Sequence, residues 1–455
     1  MATGVGLSPA RRAALRALAS ARSRDAYILP VVLRECDRAR LTGPERALSV
    51  RLALGVIETQ GVLDDAIDAH ARSRIEPRVR DALRVATYEM LYMRTPGRAA
   101  VHQGVEAAKA ARPQAGALAN AILRRIAEDA ESFPWGDPAH DIDAAARLAG
   151  YPVWMVRLVS SSLGPAATAE FLASARTPAP LYLRVNPLKT TTRLAAELLA
   201  SEGVAARPAP PDEASLIVDD ERAVVASRAL AEGAVIVMDA AAQVAPLAVG
   251  PQPAGRIVEI GAGRGAKTAA LQWLSVSAGG TAAITAVDVH AYRTELLTHR
   301  MRDLGVEGVD AVTADVRISA DDVAMPRSAD AVLVDAPCSG IGTLRRHQEI
   351  VWRVSPEDIA RLGRLQSDML AASARLVRPG GVVVYSTCSV TRAENADVVY
   401  GFLGSEGGAD FALENIASVV PREWARFITQ EGFFQSWPTP GGPDGHFVAR
   451  LRRRA

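Results

Sequence analysis

Two of the three cysteines stand directly after short apolar runs that have the composition of buried β-strands. Cys338 follows VLVDAP, three residues after Asp335, and Cys388 follows VVVYST. A cysteine thiolate is a strong nucleophile where positive surroundings or a helix N-terminus lower its pKa. Free cysteines are also common as inert buried side chains, so each residue alone indicates little. Two of them at the ends of two strands favour covalent catalysis.

A third apolar run, RIVEI, leads into the glycine-rich sequence GAGRGAKT at residues 261–268. Its glycines permit a tight turn and a close backbone approach, and the helix that follows offers free N–H groups to an anionic ligand. The pattern is GxGxG and not the dinucleotide fingerprint GxGxxG. Another small ligand and a structural turn are the alternatives to a nucleoside cofactor such as S-adenosylmethionine. The predicted cofactor-binding residues of this loop are Gly261, Ala262, Gly263, Arg264, Gly265, Ala266 and Lys267.

Two acidic residues end the next two strand candidates. Asp288 closes AAITAVD and Asp315 follows VDAVTA. A carboxylate at the end of such a strand can accept hydrogen bonds from two ribose hydroxyls. We therefore expect Asp288 and Asp315, together with Asp335, to contact the cofactor. A solvated loop carboxylate or a helix cap is the alternative for the first two.

Two basic regions are candidates for contact with nucleic-acid phosphates. Arg345, Arg346 and His347 follow the first cysteine motif, and such a triplet suits a phosphate backbone. From Met1 to Leu54 there are ten arginines and four acidic residues, a net charge of +6. A solvated positive face is the alternative in both places.

The elements that would carry these residues fall into three regions. From about residue 234, strands alternate with helices of 10 to 20 residues, which predicts a doubly wound parallel sheet with ligands at the carboxyl ends of its strands. Residues 8 to about 132 are helical in periodicity throughout and predict a bundle of five to seven helices. The stretch between has strand candidates, a helix capped by Thr191 or Thr192, and a loop, RPAPPDEAS. The predicted domains are 1–140, 141–233 and 234–455.

The composition excludes several classes of protein. The 52 basic and 51 acidic residues nearly cancel, so a polyanion-binding surface must be local. Three cysteines, with no CxxC or HExxH motif, indicate neither a disulfide scaffold nor a metal site. No apolar run reaches the ~18 residues of a membrane span, and the N-terminus has no signal-peptide core. We expect a cytoplasmic monomer with no metal and no membrane partner.

The cysteine segments VLVDAPCSGIGTLRRHQEIVWR and VVVYSTCSVTRAEN resemble the paired motifs of the RNA cytosine-C5 methyltransferases. RVNPLKTT and VMDAAAQVAPL resemble conserved segments of the same family, and the helical region resembles a NusB-like RNA-binding domain. The combination is similar to the RsmB (Sun/Fmu) type, which acts on 16S ribosomal RNA. The glycine loop departs from the family's usual CAAPGGKT: Lys267 and Thr268 are retained, and Arg264 stands where a proline is usual.

The resemblance implies a multidomain fold with a NusB-like all-α bundle, a small α+β linker domain and a class I (Rossmann-like) α/β methyltransferase domain. It implies methyl transfer from S-adenosylmethionine to C5 of a cytosine in RNA, in the course of rRNA processing. Cys388 would attack C6, Asp335 would hydrogen-bond the cytosine edge near N3, and Cys338 would assist release of the product. A transfer-RNA methyltransferase and a non-catalytic RNA-binding or assembly factor are the alternatives.

Overall fold

The computed structural model describes residues 6–175, 177–219, 221–324 and 326–455. The chain packs as two compact units. The first holds the described residues up to Ser161 together with His347–Arg353, and the second holds Ser162–Arg346 and Val354–Ala455. The finer division into three domains stays a prediction. Within the part of the chain described, no helix has both the length and the apolar character needed to cross a membrane.

The first unit is helical, and helical periodicity predicted it because alanine-rich amphipathic segments alternate with Gly and Pro breaks. Ser8 caps the first helix by accepting a hydrogen bond from the Arg11 main chain, and Pro9 occupies the first helical position. Seven helices lie between residues 9 and 129 of the described chain, as predicted. The helices are α1 (Pro9–Arg24), α2 (Ile28–Arg38), α3 (Gly43–Glu58), α4 (Gln60–Asp68), α5 (Pro77–Leu91), α6 (Gly97–Ala111), α7 (Gly116–Asp129), α8 (Ile142–Ala149) and α9 (Val153–Leu163), the last of which crosses the unit boundary.

A short segment from the C-terminal half, residues 347–353, packs within this helical unit. Glu349 Oε1 accepts a 2.7 Å hydrogen bond from the N–H of Ile28, where α2 begins. Trp352 Nε1 donates a 2.9 Å bond to the last main-chain carbonyl of α3. A Cβ on Gly61 would lie 2.1 Å from the Trp352 ring, so this close approach requires a glycine.

The second unit begins with a small four-stranded antiparallel sheet in the order β2-β3-β1-β4. Thr191 caps its main helix, as one of the two predicted caps. The expectation of a loop throughout RPAPPDEAS is wrong at its start, because Ala206–Pro208 pairs with a neighbouring strand. A three-residue edge strand that contains proline has almost no pattern of its own. The elements are α10 (Pro165–Ser174), β1 (Leu181–Val185), α11 (Thr192–Ser201), β2 (Ala206–Pro208), β3 (Ser215–Val218), α12 (Glu221–Val225), α13 (Arg228–Ala231) and β4 (Val235–Val237).

The larger sheet of the second unit carries the residues with predicted chemistry. Its order is β10-β12-β9-β8-β5-β6-β7, with β11 paired to β12. The elements are α14 (Val244–Val249), β5 (Arg256–Ile260), α15 (Ala266–Ser277), β6 (Ala283–Asp288), α16 (Ala291–Leu304), β7 (Val309–Thr313), α17 (Val316–Val323), β8 (Ala329–Asp335), α18 (Pro356–Ala374), β9 (Val377–Thr387), α19 (Ala396–Leu403), β10 (Phe411–Glu414), β11 (Phe434–Gln435) and β12 (Phe447–Arg453).

The large sheet is parallel only in part. β5 to β9 are parallel, whereas β12 runs antiparallel to both β9 and β10. The predicted doubly wound parallel sheet holds for β5 to β9, and β12 departs from it because it returns beside β9 with no α-helix in the described chain between β11 and β12. The chain order reverses between β5 and β8, and a crevice opens at the carboxyl ends of strands at such a point. The glycine loop follows β5, and the first cysteine loop follows β8.

Candidate active site

The two cysteines predicted to be catalytic lie side by side. β8 and β9 are parallel neighbours, with Asp335 opposite Ser386 at their carboxyl ends, so both cysteine loops leave the same edge of the sheet. The Sγ atoms of Cys338 and Cys388 are 3.0 Å apart, and the N–H of Cys388 donates a 3.3 Å bond to Cys338 Sγ. A disulfide would need about 2.05 Å, and both side chains are free thiols.

The surroundings keep the thiol of Cys338 protonated. Its hydrogen bond with Cys388, its burial and the neighbouring negative charges raise the pKa of Cys338 well above its usual value. Cys388 itself has a cationic neighbour. Burial alone would lower the pKa of Lys267, but the charges of Asp335 and Cys388 contribute to a net rise, so Lys267 carries a full positive charge. A cation near a thiol is what a nucleophilic cysteine requires.

Lys267 also connects the glycine loop with the first cysteine motif. It lies in the first turn of α15, and its Nζ donates a 2.8 Å hydrogen bond to Asp335 Oδ2 at the end of β8. The two side chains can meet because β8 and β5 are adjacent and parallel. The predicted catalytic acid and the predicted cofactor loop are therefore in direct contact.

The glycine loop has the conformation that its sequence predicts. Gly261, Gly263 and Gly265 have φ angles of +80°, +57° and +80°, where other residues are strained. A Cβ on Gly261 would lie 2.2 Å from the main-chain oxygen of Asp335, so the loop can pass β8 only with glycine there. Gly265 is the N-cap of α15. At the position of the unusual arginine, Arg264 is exposed.

Asp288 and Asp315 lie at the same edge in different surroundings. Asp288 is 4% exposed and accepts main-chain hydrogen bonds from Gly263 at 3.1 Å and His290 at 2.9 Å. Asp315 caps α17, and the hydrogen bonds from Arg317 lower the pKa of its carboxyl. Asp288 therefore shapes the glycine loop directly, whereas Asp315 is tied to its own helix.

Two residues of the basic triplet after Cys338, Arg345 and Arg346, pair with a carboxylate of the protein, whereas His347 is exposed. Arg345 is buried, donates a 2.7 Å bond to Asp444 and also bonds the carbonyls of Thr439 and Gly442. Arg346 bonds the same aspartate at 2.5 Å. Both the phosphate interpretation and the solvated-loop alternative are wrong for these arginines, because Asp444, 98 residues or more further along the chain, bonds both and Asp239 also bonds Arg346.

One buried carboxylate that joins the cysteine loops was not among the predicted site residues. Glu394 accepts 2.6 Å hydrogen bonds from the hydroxyls of Ser339 and Ser389, each the residue directly after a cysteine. The sequence contained a signal for it, since a hydroxyl residue follows both cysteines and a glutamate lies six residues beyond the second. Nothing in the sequence indicated that all three would meet.

Two exposed apolar side chains also flank the acids of this edge and were not predicted. Val289 follows Asp288 and is 56% exposed, and Ile318 lies on α17 with 82% exposure. Apolar side chains that remain this exposed at the mouth of a crevice are typical of a ligand surface. Among the residues that the structure describes, no group of acids, histidines and cysteines could hold a metal ion.

Three family models match the chain: the NusB family over residues 8–128, the ferredoxin-like domain of RsmF/B-like methyltransferases over 151–225, and the 16S rRNA methyltransferase RsmB/F over 246–452. A methyltransferase of Mycobacterium tuberculosis is 32% identical across 98% of this chain and 97% of its own length. The chain belongs to the RsmB/F family. Its members are S-adenosylmethionine-dependent rRNA methyltransferases, and the predicted fold class is confirmed.

Other relatives agree with this membership in the RsmB/F family. The probable ribosomal RNA small subunit methyltransferase B of Synechocystis is 30% identical over 98% of this chain and 99% of that protein. The crystal structure of PH0851 covers 99% of this chain and all of its own, with a TM-score of 0.75 at 24% identity. This second likeness shows that the fold is shared from end to end.

The helical unit of this RsmB/F protein contains a groove with a volume of about 810 Å³. Arg22 and Arg38 in its wall form ion pairs with Asp81 and Glu35. Five further exposed arginines form no ion pair with any residue that the structure describes, and two of these, Arg12 and Arg34, bond main-chain carbonyls. The arginines that line the groove are Arg12, Arg16, Arg22, Arg24, Arg34, Arg38 and Arg78, of which Arg12, Arg16, Arg24, Arg34 and Arg78 are the five without ion pairs.

Proposed function

We propose that this protein methylates C5 of a cytosine in 16S rRNA through a covalent bond between Cys388 and C6. The observation that carries the proposal is the meeting of two free thiols, 3.0 Å apart, at the sheet edge where Asp335 bonds Lys267. A DNA-type cytosine-C5 enzyme would use a cysteine in the position of Cys338 alone. The presence of both cysteines supports an RNA substrate.

The residues at this edge fit S-adenosylmethionine, which supplies an activated methyl group when bound. The turn from Gly261 to Gly265 carries no side chain at its three glycines, and a Cβ on Gly263 would meet no atom closer than 3.9 Å. Asp288 stands at the end of the neighbouring strand, where it can accept hydroxyl donors. Val289 and Ile318 offer apolar surface for a flat ring.

Cytosine C5 is a poor nucleophile until C6 is attacked. The Cys388 thiolate forms a bond to C6, and the electron pair of the C5–C6 double bond moves into the ring. Asp335 hydrogen-bonds the cytosine edge near N3, and the Lys267 ammonium, 2.8 Å from Asp335, balances the developing negative charge. The base must leave any helical stack to reach these groups.

Release reverses the first step after C5 has taken the methyl group. The C5 proton passes to water, the C5–C6 double bond re-forms, and the C6–S bond breaks with its electrons on Cys388. The protonated thiol of Cys338, 3.0 Å away, can hydrogen-bond the departing sulfur and so make it a better leaving group. This gives the two cysteines different roles in one reaction.

We assign the rRNA phosphates to the arginine-lined groove of the helical unit. Arg16, Arg24 and Arg78 are exposed on its wall, and their guanidinium groups have the fork geometry that phosphate oxygens prefer. Replacing all three by alanine should make the salt dependence of RNA binding shallower by about two to three phosphate contacts. An unchanged salt slope would remove the groove from the RNA surface.

The test of the proposed reaction is methyl transfer from labelled S-adenosylmethionine to 16S rRNA, with transfer RNA as a parallel substrate. Bisulfite sequencing of rRNA from cells with and without the gene then maps the modified base. A cytosine that loses its protection from bisulfite in the deletion strain supports the proposal. Labelling of transfer RNA alone would move the substrate to the alternative, and labelling of neither RNA would refute the activity.

A further inference from the structure

Glu394 lies at the centre of a buried hydrogen-bond network that contacts both cysteine loops. Its side chain is fully buried, and its carboxylate accepts five hydrogen bonds. Oε2 receives the hydroxyls of Ser339 and Ser389 at 2.6 Å each and that of Thr391 at 2.8 Å. Oε1 receives the N–H of Ser339 at 2.7 Å and the amide of Gln366 at 3.3 Å. A buried carboxylate with this many donors is held in one place.

The network contacts the residue after each cysteine, and a hydrogen bond from β9 holds its central residue in place. The hydroxyls of Ser339 and Ser389 also lie 3.2 Å from each other, so both loops contact the same carboxylate oxygen, Oε2 of Glu394. The Tyr385 hydroxyl donates a 2.6 Å bond to the main-chain carbonyl of Glu394. Tyr385 is fully buried in the sheet, so this bond fixes the main chain of Glu394 to strand β9.

We infer that Glu394 is a positioning residue that holds the Cys338 loop against the Cys388 loop and thereby sets the sulfur–sulfur distance needed for product release. Two of its hydrogen bonds come from Ser339 on the Cys338 loop, whereas Ser389 and Thr391 lie on the same stretch of chain as Glu394 itself. The Cys388 segment has support that involves neither the Glu394 side chain nor the Cys338 loop, because Asn395 accepts a 2.6 Å bond from the Thr387 hydroxyl and donates a 3.0 Å bond to the Ser389 carbonyl. Loss of the Glu394 carboxylate should therefore displace Cys338 more than Cys388. The inference rests on the proposed chemistry of the two cysteines.

The prediction is a selective defect in release. In Glu394→Gln one carboxylate oxygen becomes an NH₂ group. This hydrogen-bond donor would face either the N–H of Ser339 or the hydroxyls, which are donors themselves. Attack by Cys388 and methyl transfer should continue while release slows, so the ratio of covalent protein–RNA adduct to free methylated RNA should rise about tenfold or more, since displacing a reacting group by ~1 Å can cost ~10²-fold. Denaturing gels of reactions with labelled 16S rRNA measure that ratio.

A pair of single-hydroxyl variants separates positioning from folding. Ser339→Ala and Thr391→Val each remove one hydroxyl from Oε2, but only Ser339 adjoins Cys338. Ser339→Ala should raise the adduct ratio, and Thr391→Val should leave it near the wild-type value at a similar melting temperature. Glu414→Gln, which changes a distant partner of Arg450, is the control for loss of a glutamate charge.

The outcomes distinguish this inference from the proposed function. If Cys338→Ala accumulates adduct but Glu394→Gln and Ser339→Ala do not, the positioning role is wrong and the cysteine mechanism stands. If Ser339→Ala and Thr391→Val lose adduct and product equally, the network is only structural and the inference is again overturned. If Cys338→Ala forms no adduct under any condition, the proposed mechanism itself fails.

Discussion

The two sides of the catalytic edge are built in different ways. On the cysteine side, after β8 and β9, side chains hold side chains: Glu394 binds three hydroxyls, and the two thiols meet at 3.0 Å. On the glycine side, after β5 and β6, main-chain groups determine the conformation: the loop glycines have positive φ angles, and Asp288 accepts hydrogen bonds from main-chain N–H groups.

This difference follows from what each side must do. A covalent nucleophile requires its sulfur to be placed within a fraction of an ångström, which a network of buried hydrogen bonds can achieve. In the proposed reaction the cofactor is exchanged at each turnover, so its side of the edge needs a preformed turn and not a network that fixes one atom. Lys267 is the contact between the two sides, since it begins the helix of one and bonds Asp335 of the other.

The largest effect should come from the cysteine side. Cys388→Ala should form no covalent RNA adduct and transfer no methyl group, whereas Cys338→Ala should accept the methyl and then stall as an adduct that survives denaturing gels. The two variants lose the same atoms 3.0 Å apart, so a mere folding defect would make them alike. The reverse pattern would exchange the roles, and full activity in both would exclude thiol catalysis.

Breaking the contact between the two sides should have the next largest effect. Lys267→Met keeps the length of the side chain but removes the charge that bonds Asp335, leaving a partly buried carboxylate without its cation. We expect kcat to fall by ~10² or more, the scale for loss of one electrostatic group at a reacting centre. The affinity for S-adenosylmethionine, measured by calorimetry, should change much less. A loss confined to that affinity would place Lys267 on the glycine side alone.

A smaller effect is expected on the glycine side. Asp288→Ala removes the acceptor for Gly263 and the proposed ribose contact, and should weaken S-adenosylmethionine binding by roughly 1.5–3 kcal/mol. Asp315→Ala is the matched control, because that carboxylate is already bonded to Arg317. Calorimetry that finds equal losses for both would contradict the distinction between them, and an unchanged affinity in Asp288→Ala would remove it from the site.

The smallest effect concerns the pH dependence of stability near the cysteine side. His446 is 5% exposed, and its burial, with Lys267 and Arg346 nearby opposed by Asp444, lowers its pKa to about 3. Its folded pKa lies below its unfolded value, so its contribution is present above pH ~6.5 and is lost as the pH falls toward 3. Between pH 7 and 5.5 the wild type should lose roughly 1 kcal/mol more stability than His446→Phe.

The wild-type comparison is needed because another group titrates in the opposite sense. Burial and the charge of Asp444 raise the pKa of Asp239 to about 7, so its contribution grows as the pH falls through 7 and is lost as the pH rises. Asp239 is present in both His446→Phe and the wild type, so its contribution cancels when the two stabilities are subtracted. Urea unfolding at pH 7 and pH 5.5 measures this difference in the free energy of unfolding. Parallel curves for both proteins would show that His446 titrates normally.

The sequence predicted the helices and strands and also which residues would share the carboxyl edge of the sheet. The glycine loop, Asp288, Asp335 and both cysteines each follow an apolar run, and parallel strands must end at one edge. The predicted parallel sheet did not include the antiparallel β12, which pairs with β9 through residues about 60 positions apart, for example Phe447 with Thr387. No local pattern records such a partner.

The sequence by itself determined which residues stand at the ends of strands, because strand and helix periodicity are local properties of the chain. Only the tertiary structure decided what each charged residue meets there. Arg345 and Arg346 had the composition of a phosphate site, and Asp444 made them a buried structural cluster. Glu394 and the serine after each cysteine were visible in the sequence, but only the fold brought the three together. Burial and pairing depend on residues distant in sequence, and these decide whether a charge contacts a ligand or the protein itself.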